Sequence, residues 1–155
     1  VVPVISYNYA AGNLPRCQKT LKESVLAGMA LMLGGTLCFE AIPGQMLHVF
    51  SQDPEVISIG VYAFRWIGPS FLPMVSAQMF PVFFQATGYA LKSSFLTILR
   101  TVILFVPLGW LLAQWGLHTF WMTFPITETL TTLGGLVCYR QFLRREAERS
   151  HITST

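Results

Sequence analysis

Residues 56–88 read VISIGVYAFRWIGPSFLPMVSAQMFPVFFQATG, and this stretch decides the fold. It is 33 residues long and carries a single charge, Arg65. A helix rises about 1.5 Å per residue and the hydrocarbon of a bilayer is ~30 Å thick, so the stretch is long enough to cross a membrane at a tilt.

Three prolines interrupt this stretch, at positions 69, 73 and 81. Each one leaves the carbonyl four residues earlier without its helical donor. The carbonyls affected are those of Arg65, Pro69 and Ala77. Lipid offers them no hydrogen bond, so we expect the helix to lie inside a bundle or beside a cavity.

The rest of the chain has the same apolar character. The hydrophobic fraction is 53% and the charged fraction 11%, against about a quarter charged in soluble domains. Charge-free runs cover residues 24–39, 66–91 and 101–127. A soluble fold would have to hydrate one face of most of these helices and has no charges there to do so. The sequence therefore predicts an all-α integral membrane protein.

We predict four transmembrane helices, at residues 24–42, 56–88, 93–113 and 119–139. The second has the clearest start, because Asp53 is a good N-cap and Pro54 and Glu55 suit the first turn. We read residues 6–22 as a polar loop in which Pro15 restarts a helix, and we expect the charged segment 140–155 to fray. The opening residues VVPVI resemble the tail of an earlier span, which suggests a fragment.

The basic residues collect on one side of the predicted spans. Eight of them flank the spans on that side, and none flanks them on the other. This bias predicts a multi-pass protein of the plasma or inner membrane with both ends of the chain cytoplasmic. The net charge of +3 is thus a topology signal, and we expect membrane lipid rather than nucleic acid as a partner. The eight residues are Arg16, Lys19, Lys22, Lys92, Arg140, Arg144, Arg145 and Arg149.

Several stretches between residues 1 and 145 together resemble the second half of the multidrug and toxic compound extrusion (MATE) transporters. PVISYNYAAGN at 3–13 is similar to the loop before that family's ninth helix, although Ala10 replaces the usual Gly. In the central helix, Asp53-Pro54-Glu55-Val56 is similar to the start of the family's tenth helix, and FFQATG at 83–88 is similar to its end. Leu99-Arg100 followed by Pro107 resembles the eleventh helix of the family. The spacing of Trp121, Pro125 and Glu128 resembles the twelfth.

The resemblance implies a twelve-helix, two-lobe transporter of which residues 1–145 are a C-terminal part and 146–155 a cytoplasmic tail. Such transporters use alternating access to export small cationic amphipathic compounds in exchange for H⁺ or Na⁺. The missing N-terminal lobe of the same polypeptide would be the main protein partner. We expect no cofactor and no metal site. Residues 66–91 contain no acidic residue, so ion coupling through the tenth helix would rest on the missing part.

Four side chains of the central helix share one face by helical periodicity, namely Phe71, Met74, Gln78 and Gln85. Aromatic rings, a thioether and uncharged amides suit many flat cationic compounds. These side chains are candidates to line a substrate cavity. Ordinary packing between helices is the alternative, with each Gln bonding a neighbouring helix.

Arg100 and Glu128 are the deepest charges in the predicted third and fourth spans. Ionisable groups at such depth normally pair or take part in function. A salt bridge between the two spans, a proton or cation relay through Glu128, and snorkelling to the interface are the three interpretations.

The sequence contains no catalytic set of residues, so we do not expect an enzyme. Three functions remain open: multidrug efflux, flipping of lipids or lipid-linked sugars, and a stand-alone four-helix membrane scaffold.

Overall fold

The computed structural model describes residues 1–152, with side chains through residue 149. Within this range every regular element is a helix, which confirms the predicted all-α class. The elements are α1 (Val2–Ala10), α2 (Leu14–Ala41), α3 (Pro43–His48), α4 (Pro54–Ala86), α5 (Ala90–Ile98), a π-helical segment (Leu99–Phe105), α6 (Val106–Ala113), α7 (Leu117–Phe120) and α8 (Thr123–Ile152).

The central helix is α4, which runs through all three of its prolines. It starts as predicted, because the Asp53 carboxylate accepts a hydrogen bond from the Glu55 backbone N–H at 2.9 Å. Helix α2 packs on one side of α4 and α8 on another. Of the 18 consecutive residues that are most apolar in α4, half are buried, whereas none of the corresponding 18 residues of α2 is buried. The other helices are therefore arranged around α4.

Three helical stretches in the described residues are long and apolar enough to cross a membrane: Leu14–Ala41, Pro54–Ala86 and Ala90–Ala113. Helix α8 is 30 residues long but too polar to join them. Three of its polar side chains, Thr123, Thr127 and Thr131, are no more than 1% exposed. They recur every fourth residue, so they form one stripe along the helix. Because this stripe faces protein and not lipid, α8 can cross a membrane despite its low mean hydropathy. That α8 forms the fourth span stays a prediction.

The predicted loop at residues 6–22 is wrong, but the helix start predicted at Pro15 is confirmed, because Pro15 is the second residue of α2. Helix α1 covers its first part, and α2 begins at Leu14, ten residues before the predicted span. Asn13 caps α2 by accepting a hydrogen bond from the Arg16 backbone N–H at 3.1 Å. Ser6 donates to the Ala86 carbonyl at 2.9 Å. The small polar residues that suggested a loop thus cap a helix or bind a neighbouring one.

The third span contains a π-helical segment that the sequence analysis did not predict. Residues 99–105 wind with the wider i→i+5 repeat, between α5 and α6. Pro107, the second residue of α6, lacks the N–H that would bond the carbonyl of Ile103 in this segment. A wider turn lets the next donor along the chain reach back to such a carbonyl. π-Helical turns are rare and occur frequently at functional sites.

The prediction that residues 140–155 fray is wrong as far as the structure describes them, because α8 continues to Ile152; residues 153–155 lie outside the described part. Phe142 is 1% exposed and belongs to a buried cluster with Ile5, Phe83, Phe84 and Leu96. This cluster joins α1, α4, α5 and α8, so apolar packing stabilises the helix beyond the predicted span.

Candidate functional site

A cavity of about 310 Å³ lies where α4, the π-helical segment and α8 meet. We call it the central cavity. Its apolar wall consists of Ile67, Phe71, Met74, Phe105 and Phe124. Its polar groups belong to Ser70, Arg100, Thr101, Thr127 and Glu128. An apolar cavity with a few converging polar groups is the usual form of a small-molecule site.

Arg100 and Glu128 form an ion pair at this cavity. Arg100 Nη2 lies 2.6 Å from Glu128 Oε1, and Arg100 Nε lies 3.0 Å from both carboxylate oxygens. The Glu128 side chain is 8% exposed and that of Arg100 22%. Charge-assisted bonds of this length are strong, and they offset part of the cost of burying the two charges.

The ion pair joins the π-helical segment to α8. Arg100 is the second residue of the π-helical segment, and Glu128 lies on the inward side of α8 next to the buried threonine stripe. The pair therefore connects the predicted third and fourth spans at the point where the third departs from α-helical winding.

Thr127 adds an unsatisfied polar group to the cavity wall. Its side chain is 1% exposed, and its hydroxyl has no hydrogen-bond partner. The hydroxyl of Ser70, across the cavity on α4, is bonded to the Ile67 carbonyl at 2.6 Å. A buried polar atom without a partner is costly, so the Thr127 hydroxyl is a natural contact for a bound molecule or water.

The structure divides the four predicted cavity-lining residues. Phe71 and Met74 line the central cavity, and Phe71 also packs against Phe39 of α2 with ring centres 5.0 Å apart. Gln78 and Gln85 are exposed, and Gln85 lines a separate recess of about 460 Å³ beside α5. The four residues therefore share a face of α4 by helical geometry, but only Phe71 and Met74 lie at the cavity that contains the ion pair.

Two hydroxyl groups from neighbouring helices bond carbonyls of α4. Thr36 of α2 donates to the Gly68 carbonyl, and Thr132 of α8 donates to the Pro73 carbonyl, each at 2.8 Å. These are not the carbonyls of Arg65, Pro69 and Ala77 that the prolines leave free, so the expected partners of those three carbonyls stay a prediction. In lipid, such bonds hold an irregular helix within its bundle.

The sequence analysis missed six cavity residues, namely Ile67, Ser70, Thr101, Phe105, Phe124 and Thr127. The threonines at positions 123, 127 and 131 carried a usable signal, because polar residues at every fourth position mark one helix face. The π-helical segment left no comparable pattern. Within the described part of the chain, His, Cys, Asp and Glu do not form a group of three or more that could hold a metal ion.

The chain was also compared with known proteins. The family model described as MatE matches residues 1–111. A search of curated proteins found no match. The matched stretch includes α4 and the π-helical segment and ends before α8, so Arg100 lies inside it and Glu128 outside.

Proposed function

The chain belongs to the MatE family of membrane transporters, and we propose that it forms the C-terminal part of a secondary active multidrug exporter. In this proposal, cationic amphipathic compounds bind in the central cavity and leave by alternating access in exchange for H⁺ or Na⁺. The membrane would be the plasma or inner membrane, with both ends of the chain on the cytoplasmic side.

The observation that carries this proposal is the meeting of the Arg100–Glu128 pair with the apolar wall of the central cavity. Phe71, Phe105 and Met74 offer surfaces on which a flat hydrophobic body can pack without a fixed shape. The Glu128 carboxylate supplies the negative charge that attracts a cation.

Arg100 acts in this proposal as the resident counter-ion of Glu128. A substrate cation must compete with the Arg100 guanidinium for the Glu128 carboxylate. A proton that binds this carboxylate would release the substrate cation and the guanidinium alike. Exchange of a substrate cation for a proton then follows from mutually exclusive occupancy of one carboxylate. Because Arg100 lies on the π-helical segment, its release would also free that segment to change its winding.

A charge-swap experiment tests whether Glu128 contacts substrate or only stabilises the fold. Three variants of the complete protein are needed: Glu128→Gln, Arg100→Gln and the double swap Arg100→Glu with Glu128→Arg. We expect Glu128→Gln to lower export of a monocationic dye by at least tenfold. Arg100→Gln should retain export, because the carboxylate remains and its competitor is gone.

The swap separates the two roles. It should restore the thermal unfolding midpoint, since the ion pair is rebuilt, but not cation export, since the carboxylate has moved to another helix. If the swap restores export together with stability, the pair is structural and the proposed substrate contact is wrong. Protein level in the membrane is measured for each variant.

A further inference from the structure

A second recess, distinct from the central cavity, lies between the start of α5 and the last turns of α8. Its volume is about 370 Å³, and its lining includes Gly88, Tyr89, Leu91, Lys92 and Arg145. We call it the basic recess. It lies at the end of the bundle where the sequence concentrates its flanking basic residues.

Two cations face the basic recess without a carboxylate partner. Lys92 approaches from α5 and Arg145 from α8. The ion pairs among the described side chains join Lys19 to Glu23, Arg100 to Glu128 and Arg149 to Glu146, and they leave Lys92 and Arg145 unpaired. Two uncompensated positive charges beside one concave surface favour an anion.

The Lys92 ammonium is held in place by aromatic rings. Its Nζ lies 4.9 Å from the ring centre of Tyr89, 5.3 Å from that of Phe84 and 5.7 Å from that of Phe142. Cation–π contacts of this kind orient an ammonium group but do not neutralise it. Phe84 and Phe142 belong to the buried cluster, so the ammonium has a defined position rather than a freely moving one.

The carboxylate of Glu146, which contacts the lining residue Tyr89, is already engaged elsewhere. Its Oε1 accepts hydrogen bonds from the hydroxyls of Tyr9 and Tyr89, each at 3.1 Å, and lies 3.7 Å from Arg149 Nη1. Burial raises the pKa of Tyr9, so this hydroxyl stays a donor at physiological pH. Glu146 thus ties α1 and α5 to α8 and leaves Lys92 and Arg145 available.

The surroundings of the basic recess are suited to a lipid rather than a free anion. Leu91, which lines the recess, is 88% exposed, and a hydrophobic side chain beside two cations matches an acyl chain beside a phosphate. Tyr89 adds an amphipathic ring of the type enriched at membrane interfaces. Basic pockets between helices on the cytoplasmic side of membrane proteins suit anionic headgroups.

We propose that the basic recess binds the phosphate of an anionic phospholipid, with Lys92 and Arg145 as its two ligands and Leu91 against an acyl chain. The lipid bridges α5 and α8. It therefore links the third and fourth predicted spans near the start of α5, whereas the Arg100–Glu128 pair links them beyond the end of α5.

The test measures lipid retained by the complete protein in detergent, by native mass spectrometry after incubation with phosphatidylglycerol or phosphatidylcholine. Lys92→Gln and Arg145→Gln each remove one ligand. Arg144→Gln is the matched control, because it removes the same charge from an exposed neighbouring position of α8 that does not line the recess.

We expect phosphatidylglycerol to be retained over phosphatidylcholine, and its affinity to fall about fivefold for each lost ligand, which corresponds to about 1 kcal/mol per charge. Arg144→Gln should change it less than twofold. In parallel, phosphatidylglycerol should raise the thermal unfolding midpoint of the wild type and of Arg144→Gln, but less for the other two variants.

Two results would overturn the proposal. One is an equal loss of lipid in Arg144→Gln and Arg145→Gln, which would show diffuse attraction to the whole basic end. The other is displacement of the lipid by millimolar inorganic phosphate, which would show a site for the free anion. If Lys92→Gln does not fold, Arg145→Gln decides the question, because Arg145 is exposed.

Discussion

Helices α4 and α8 approach each other so closely at Gly135 that one added methyl group should separate them. A Cβ at this position would meet Cγ of Phe80 at 2.8 Å and Cβ of Phe80 at 3.0 Å. Carbon atoms in favourable contact lie about 3.5–4.0 Å apart, so Gly135→Ala requires a movement of about 0.5–1 Å. Rotation of the Phe80 ring does not relieve the contact with its Cβ, so the helices themselves must move.

Overpacking of this kind costs about 1–3 kcal/mol. Alanine also has a higher helix propensity than glycine, by about 1 kcal/mol, and this gain must be separated from the clash. Gly134→Ala is the matched control. Its Cβ would meet only the flexible end of Leu99, at 3.3 Å, so it takes up the propensity gain with little strain.

The assay is thermal unfolding of the complete protein in detergent, followed by size-exclusion chromatography of the remaining folded fraction. We expect Gly135→Ala to unfold several degrees below Gly134→Ala. Phe80→Ala should cost less in the Gly135→Ala background than in the wild type, because the removed ring atoms are part of the clash. Equal midpoints for the two alanine variants would show that α4 and α8 do not pack at this distance.

Three further predictions concern other contacts of α4. Thr132→Val removes the hydroxyl that bonds the Pro73 carbonyl and should lower stability by about 0.5–1.5 kcal/mol, measured by thermal unfolding against exposed Thr129→Val, which should be neutral. Asp53→Ala removes the N-cap and should cost about 1 kcal/mol, whereas Asp53→Asn should cost less; equal losses would contradict a capping role. Met74→Ala changes the apolar wall of the central cavity and should alter the drug-resistance profile of whole cells at an unchanged protein level, whereas Gln78→Ala, at an exposed position, should not; unchanged resistance to every compound in Met74→Ala would refute a role in the cavity.

The start and length of α4 could be predicted from sequence because both depend on local chemistry. Asp53 and Pro54 favour a helix start wherever they stand before an apolar run. The run of residues 56–88 without an acidic group excludes an ordinary soluble helix. The same local reasoning failed at residues 6–22, where the hydroxyl of Ser6 bonds a carbonyl of α4 that lies 80 positions away.

Four of the ten residues that line the central cavity were predictable. Arg100 and Glu128 are recognisable as the deepest charges because charge is rare in predicted spans. Phe71 and Met74 follow from helical periodicity, but periodicity alone gives no reason to exclude Gln78 and Gln85, which lie on the same face further along the helix. The positions of the π-helical segment and of α8 decide where along that face the cavity opens.

The sequence by itself determined that this chain is a bundle of apolar helices around a proline-interrupted centre, because hydrophobicity, length and helix capping act within a few residues of one another. Only the tertiary structure decided which charges meet, which carbonyls receive a hydroxyl and where the bundle leaves space. These outcomes depend on contacts between residues far apart in the chain, such as that of Arg100 with Glu128, and on the π-helical winding of residues 99–105.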